Sequence, residues 1–486
     1  MTKRGLASSV AVLVLLFAQA AAAQSQQQNT VGPGAPEWLK DRRYNEGSGI
    51  RAGDLELHPG IAGEVGYDSN FFQRTTQLNA VNGPPEAPVV PAAVIRITPS
   101  LYLSTISLMR RESDPQPPAI AFRAGVNATY RAMFGLSSDA STVVDGVKPN
   151  DPAQEDALSG SADLHLDILP NRPVGASIFG TYTRTIQPNT VNADPNDSFN
   201  RDDFLAGAEL ILQPGGGTLD WRAGYQFTDS LFEASAGVPF DNYSNQFYTR
   251  GRWRFRPRTA LVYDGSIRFN TYQNIQSAYD AAGLLNSTPV RARVGVNGLV
   301  TERFAVLAMA GWGASFIDTA ALPAQQQYDS VIGQAELKWY LAASPGIAAP
   351  SELGLALSTV AIGYTRDFQT SYIGNYYGID RGYLRFDYFF AGRALVTLNA
   401  GLAAISYPEI LAPGGASRNA AFTDARADAS LFGEYRFTDV FAINATLRYT
   451  QNFSNQEVLE VPVTTGARFG MAWQRYEAYL GLRLFL

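Results

Sequence analysis

The feature that most constrains this chain is a side-chain period of two that begins near Gly53 and is kept to the last residue. The final fourteen residues, WQRYEAYLGLRLFL, put Tyr476, Ala478, Leu480, Leu482, Leu484 and Leu486 on one face of an extended strand. Arg475, Glu477, Tyr479, Gly481, Arg483 and Phe485 fall on the other face. A helix would scatter those leucines around its cylinder, so the alternation selects strand. The same unit recurs as hairpins: Phe204 to Leu212 reverses at QPGGGT and returns through Trp221, Ala223, Tyr225 and Phe227. Other hairpins reverse at RPRT, TERF, AGR and TDV, and longer polar stretches such as PEILAPGGASRNAAFTD join each hairpin to the next.

Short turns alternating with long loops, on strands of ten or more residues, are the layout of an outer-membrane barrel, with the short turns periplasmic and the strand count even. We therefore expect an all-β fold over residues 54–486: a transmembrane up-and-down antiparallel β-barrel of about 18 strands, ending in strands near 353–368, 378–390, 393–407, 421–437, 440–453 and 471–486. VLEVPVTTGARFG also alternates, but a spanning strand there would make the count odd, so parity assigns it to the last external loop. A soluble sandwich would alternate too. Its strands average five or six residues, however, and they lack the Tyr, Trp and Phe that repeatedly close the apolar face here.

Composition agrees with a wall that need not face water: only 17% of residues are charged, against roughly 25% in soluble proteins. Two His and no Cys remove the usual zinc and thiolate chemistries, and no cofactor, metal or catalytic residue is expected. A net charge of −6 gives no basic face for nucleic acid. Residues 1–23 carry Lys3 and Arg4, an apolar run from Val10 to Phe17 and small residues ending at Ala23, the layout of a secretory signal peptide. The apolar run is too short for a transmembrane helix, and with no Cys beyond the cleavage site a lipoprotein anchor is excluded. Residues 24–53, polar and rich in Gln, Pro and Gly, read as a flexible periplasmic leader with no fold of its own.

The most distinctive polar feature is RGRWRFR. Arg250, Arg252, Arg254 and Arg256 share one strand face, and if Trp253 faces lipid they face the lumen, because Arg at the bilayer midplane costs about 2–4 kcal/mol. Arg268, Arg291, Arg293, Arg385, Arg448 and Arg483 project inward by the same rule. Glu209, Asp220, Asp264, Glu336, Asp387, Asp428 and Glu434 are the luminal acids that could pair with them. Two readings stay open: a salt-bridged wall that fixes the barrel's shape, or a basic stripe that draws anionic solutes or an acidic polymer through its field. DLHLD places Asp163, His165 and Asp167 on one luminal face, but neither a nucleophile nor further metal ligands accompany them. PGGGT sits at a hairpin tip without a following Lys, which rules out a phosphate loop. Tyr67, Asp68 and Asn70 mark a strand exit.

The first strand and its exit, LELHPGIAGEVGYDSNFF from Leu55 to Phe72, resemble the opening of the beta-barrel porin 2 family, as do the hairpins FTDVFAINATLRYT and FRPRTALVYDGSIRF. That resemblance implies an outer-membrane barrel attached to exopolysaccharide secretion in Gram-negative bacteria, with periplasmic polysaccharide-export proteins as partners. Tyr479, Gly481, Leu484 and Leu486 resemble the terminal pattern read by the barrel-assembly machinery, although Leu486 stands after Phe485, where an aromatic residue usually ends that pattern. The leading expectation is a conduit or scaffold for polysaccharide export. The alternative is a general diffusion porin for small solutes, anions among them, and an outer-membrane enzyme is disfavoured by the histidine inventory.

Overall fold

A computed structural model describes residues 49–75, 88–105, 119–142, 151–155, 157–170, 172–186, 199–234, 237–318, 327–341, 358–390, 393–411, 417–459 and 468–486, together with Pro36 and Trp38. Residues 1–23, read as a signal peptide, and most of the stretch 24–53, read as a leader, lie outside the described residues. Eighteen long strands make the wall. The first nine are β1 (Leu55–Asp68), β2 (Ala92–Thr105), β3 (Ile120–Gly135), β4 (Ala157–Ile168), β5 (Val174–Thr185), β6 (Arg201–Leu212), β7 (Leu219–Phe232), β8 (Asn242–Arg256) and β9 (Thr259–Tyr272). The others are β10 (Ser287–Leu299), β11 (Phe304–Ile317), β12 (Tyr328–Tyr340), β13 (Thr359–Ser371), β14 (Asn375–Phe390), β15 (Ala394–Tyr407), β16 (Phe422–Thr438), β17 (Phe441–Phe453) and β18 (Trp473–Phe485).

Each strand pairs antiparallel with the next, and β18 pairs with β1 from Gly60↔Phe485 to Asp68↔Glu477, closing the sheet into a barrel. The Leu486 amide continues the seam by donating to the Pro59 carbonyl at 3.0 Å. Closure answers the lipid environment: an open edge there would leave main-chain groups without partners at several kcal/mol each. The expected strand at 353–368 begins at Thr359, residues 351–357 being outside the described set, and it runs on to Ser371. VLEVPVTTGARFG stays out of the wall: Glu457–Leu459 pairs with Arg468–Gly470 in a small sheet of its own. A short strand, Ile50–Ala52, folds back on Leu55–Leu57, so the last residues of the stretch read as leader have a defined place.

Alternation sorts the side chains as an inverted globule. Leu480, Leu482 and Leu484 are each more than half exposed, whereas Glu477, Tyr479, Arg483 and Phe485 between them are buried. Apolar residues exposed on strand after strand form a belt far larger than any patch a soluble monomer carries. Aromatic residues collar it. Trp253, Phe255, Phe304, Trp339, Tyr435 and Phe437 lie near the short-turn rim, and Tyr130, Phe134, Phe269, Phe316, Phe453 and Tyr476 near the other. This is the lipid-facing pattern of a transmembrane barrel in the outer membrane.

The outer rim departs from long unstructured loops. Between β9 and β10 the chain forms a helix, α1 (Ile275–Ala282), capped by the Asn274 side chain accepting from the Ser277 amide and stopped by left-handed Gly283 (φ +69°). β13 and β14 are joined by three residues only, ending at Gly374 (φ +86°). Asn375 then ties the two connections together. Its Oδ1 accepts from the Leu285 amide at 2.7 Å and its Nδ2 donates to the Gly283 carbonyl at 3.2 Å. A Cβ on Gly283 would stand 2.8 Å from the Leu411 carbonyl, so the connection between β15 and β16 reaches the same point. Phe232, Phe240, Tyr272, Ala278, Ala282 and Leu284 make a buried cluster beneath these connections.

Two substitutions test which side of the wall meets lipid. Leu480→Arg, in the middle of β18, should destabilise the barrel in liposomes by about 2–4 kcal/mol, and Tyr476→Arg near the rim by about 0–1 kcal/mol, read by chemical denaturation. Equal effects would contradict the depth assignment.

Candidate pore interior

β8 presents Trp253 and Phe255 outward, which turns Arg250, Arg252 and Arg254 inward, while Arg256 is exposed at the short-turn rim, where a register shift against β9 interrupts the alternation. The ladder does not stand alone. Arg250 Nη2 lies 2.8 Å from Glu209 Oε2, and Arg222 Nη1 reaches the other Glu209 oxygen at 3.1 Å. Arg222 also donates to Asp220 Oδ1 at 3.0 Å, with Arg252 Nη2 3.6 Å from Asp220 Oδ2. Antiparallel register brings these together: Asp220 faces Arg252, and Arg222 faces Arg250 across β7 and β8. Glu209 is only 5% exposed and also accepts from Tyr248 Oη at 3.1 Å, so its charge is held by three donors.

The ladder continues onto the next strands. Arg293 donates to Asp264 Oδ1 at 3.0 Å, and Arg291 to Asp367 Oδ1 at 3.0 Å. Arg268 is held by Gln246 Oε1, 2.9 Å from its Nε. Strands β7 to β10 carry eight guanidiniums, those of Arg222, Arg250, Arg252, Arg254, Arg256, Arg268, Arg291 and Arg293, and five of them, Arg222, Arg250, Arg252, Arg291 and Arg293, meet the four carboxylates of Glu209, Asp220, Asp264 and Asp367. The excess is positive. Elsewhere Glu336 pairs with Lys338, Asp387 with Arg385, Asp428 with Arg381, and Glu434 with both Arg436 and Arg483.

The seam side of the interior is filled. Arg96 and Glu64, each 1% exposed at the side chain, pair at 2.9 Å, and the Arg96 guanidinium lies 3.6 Å from the Tyr479 ring centroid. A Cβ on Gly481 would meet Glu64 Cγ at 2.7 Å and Asn444 Oδ1 at 2.8 Å, so glycine is needed at that position by crowding. Beyond β1 the chain turns back into the barrel. Asn70 organises the turn: its Nδ2 donates to the carbonyls of Arg74 (2.8 Å) and Gln474 (3.1 Å), and its Oδ1 accepts from the Arg74 amide (2.9 Å). This seats Phe71 and Phe72 against Ala92, Val94, Met133 and Tyr479. Asp68 meanwhile binds Arg475 across the seam. Burial pushes the Arg74 guanidinium down to about 10 against the pull of Glu155, and burial raises the Glu155 carboxyl against Arg131 and Arg74.

Trp38, from the stretch read as a structureless leader, is 2% exposed and belongs to a buried cluster with Ala62, Leu395 and Phe432. The Arg483 guanidinium lies 4.3 Å from its ring centroid, a cation–π contact near the short-turn rim. Nothing in the sequence beyond a lone Trp in polar surroundings marks this contact. The inward turn of Phe71 and Phe72 is likewise unmarked, apart from the Asp-Ser-Asn exit. Of the terminal residues, Tyr479 faces inward, whereas Leu484 and Leu486 are exposed on the outer face. His165 Nε2 lies 2.9 Å from Asp167 Oδ1, and Ser177 donates to the same carboxylate. The hydroxyl is thus bonded to the acid and not to the imidazole, so the three do not form a nucleophile-and-base relay. No group of three or more His, Cys, Asp or Glu residues suited to a metal ion occurs among the described residues.

No family model matches the chain, and no curated protein does. Among solved structures the barrel is similar to OpdK of Pseudomonas aeruginosa with vanillate (12% identity, 88% of this chain and 99% of that one, TM-score 0.41). It is also similar to OccAB3 of Acinetobacter baumannii (10%, 90% and 100%, TM-score 0.42) and to OpdQ of Pseudomonas aeruginosa (10%, 90% and 99%, TM-score 0.42).

Replacing Glu209 with Gln leaves two guanidiniums short of their shared charge. The barrel should lose about 3 kcal/mol or more on denaturation, as expected for a broken buried pair, and Arg250→Met with Arg222→Met in that background should recover part of it. Asn70→Ala removes three side-chain hydrogen bonds, each worth roughly 1 kcal/mol. It should make the chain near Phe71 and Phe72 cleavable by protease in folded, detergent-solubilised barrels.

Proposed function

We propose that the protein is an outer-membrane diffusion pore for small solutes, with a preference for anions set by the arginine-rich wall of β7 to β10. The single observation that carries this reading is the imbalance of guanidiniums over carboxylates on that wall. In a confined, water-filled passage fixed charge of one sign raises the local concentration of counter-ions. The salt-bridged-wall reading is part of the same arrangement, because the pairs orient the guanidiniums and the surplus provides the field.

Polysaccharide export takes second place. It stands on the resemblance of Leu55 to Phe72 alone, and the aromatic groups brought into the barrel, Trp38 at one end and Phe71 with Phe72 towards the other, favour small solutes over a polymer chain. Periplasmic export partners belong to that second reading. Recognition of Tyr479, Gly481, Leu484 and Leu486 by the assembly machinery fits either.

Purified barrel in a planar bilayer under a tenfold KCl gradient should give a reversal potential of anion-selective sign. Arg250→Ala with Arg252→Ala should move it toward zero or past it. A cation-selective wild type, or a reversal potential indifferent to both substitutions, would overturn the proposal.

A further inference from the structure

The wall is not equally knit all round. β12 and β13 pair from Tyr340↔Thr359 to Gly333↔Arg366, and there the ladder stops, leaving Tyr328–Ile332 and Asp367–Ser371 without pairing to each other. Both strands continue beyond that point and remain paired on their other sides, β12 to β11 and β13 to β14. Among the described residues the result is a notch facing the outer rim, five residues deep, or about 16 Å at about 3.3 Å per residue.

Side chains serve main-chain groups along it. The Val331 carbonyl accepts from Arg366 Nε at 3.2 Å, the Phe368 amide donates to Asp367 Oδ1 at 2.8 Å, and the Phe368 carbonyl accepts from Arg291 Nη2. Phe368 closes the notch from inside. It is 1% exposed, stacked 4.3 Å from the Tyr328 ring, and lies 4.0 Å under the Arg291 guanidinium. On the outside Val331 is 66% exposed.

We propose that this notch is a lateral outlet from the lumen to the outer leaflet, used by amphipathic anions that carry an apolar tail. Tyr328 and Phe368 suit the tail, and Arg291, paired with Asp367 at the inner end, takes the head by exchanging that carboxylate for the ligand's. Opening requires Phe368 to swing and side-chain bonds to exchange, while every ladder pair in the wall stays intact. The proposal goes beyond the pore reading and is separable from it, since a notch of this kind serves its ligand whether or not the barrel conducts ions.

The chain has no cysteine, so introduced thiols are unique. Ser330→Cys with Gln369→Cys tests the notch itself, because a continued register would bring this pair face to face. In nanodiscs the two thiols should stay unbridged under mild oxidation yet be joined by a flexible bifunctional reagent spanning about 10 Å, since Cα atoms more than about 7 Å apart cannot form a disulfide directly. Rapid, complete disulfide formation would overturn the notch. A dodecanoate with a photoreactive tail tests the ligand. Its adducts should concentrate on peptides holding Tyr328, Ile332 and Phe368, at least threefold over dodecanol carrying the same tail, and Arg291→Gln should abolish that preference. Phe368→Ala should increase labelling of the notch while leaving KCl conductance unchanged. Equal labelling by acid and alcohol over the whole outer face, as lipid would give, would overturn the proposal even in a barrel that conducts.

Discussion

Everything in this molecule depends on main-chain hydrogen bonds having nowhere to go but sideways. In the hydrocarbon layer no water competes, so a sheet is tolerated only if its last strand finds its first. Here that requirement is met by β18 against β1, and the meeting is reinforced from inside, where Asp68 binds Arg475. The run of leucines at the carboxyl end is therefore one half of a joint, with lipid on the far side of it.

Closure forces the charge to the inside. Arginines that lipid would reject have only the lumen to occupy, and in a confined space they must share carboxylates or repel one another. The chain does both. Near the seam the charges are paired and buried, as with Arg96 and Glu64, whereas across β7 to β10 cations outnumber acids and remain partly exposed. One side of the interior is thus built as packing and the other as field. The notch between β12 and β13 lies beside the second, and Arg291 belongs to both.

Much of this was legible because two-residue periodicity and strand parity are local rules that lipid enforces. They gave the strand number, kept VLEVPVTTGARFG out of the wall, and turned Arg250 and Arg252 inward because Trp253 had to face out. What stayed hidden depends on contacts between residues far apart in the chain. Trp38 meets Arg483 across more than four hundred residues, and no spacing rule connects them. The helix Ile275–Ala282 is carried by a cap and a stop at Asn274 and Gly283, yet it reads as loop because it sits between hairpins. The early end of the β12 and β13 ladder could not be seen at all: the residues beyond it alternate as the rest do, and only Asp367 and Phe368, both turned inside, break the pattern.

The knot at Asn375 has a consequence for how the exterior can change. Three connections meet at that side chain and the neighbouring Gly283, so lengthening any one of them strains the other two. The hairpin of Glu457–Leu459 and Arg468–Gly470 carries its own pairing and reaches the knot at one remove, through Ser417–Asn419, which pairs with Ile410–Leu411. Inserted epitopes, and the drift that phage or antibodies impose on a bacterial surface, should accumulate in that hairpin and spare the knot.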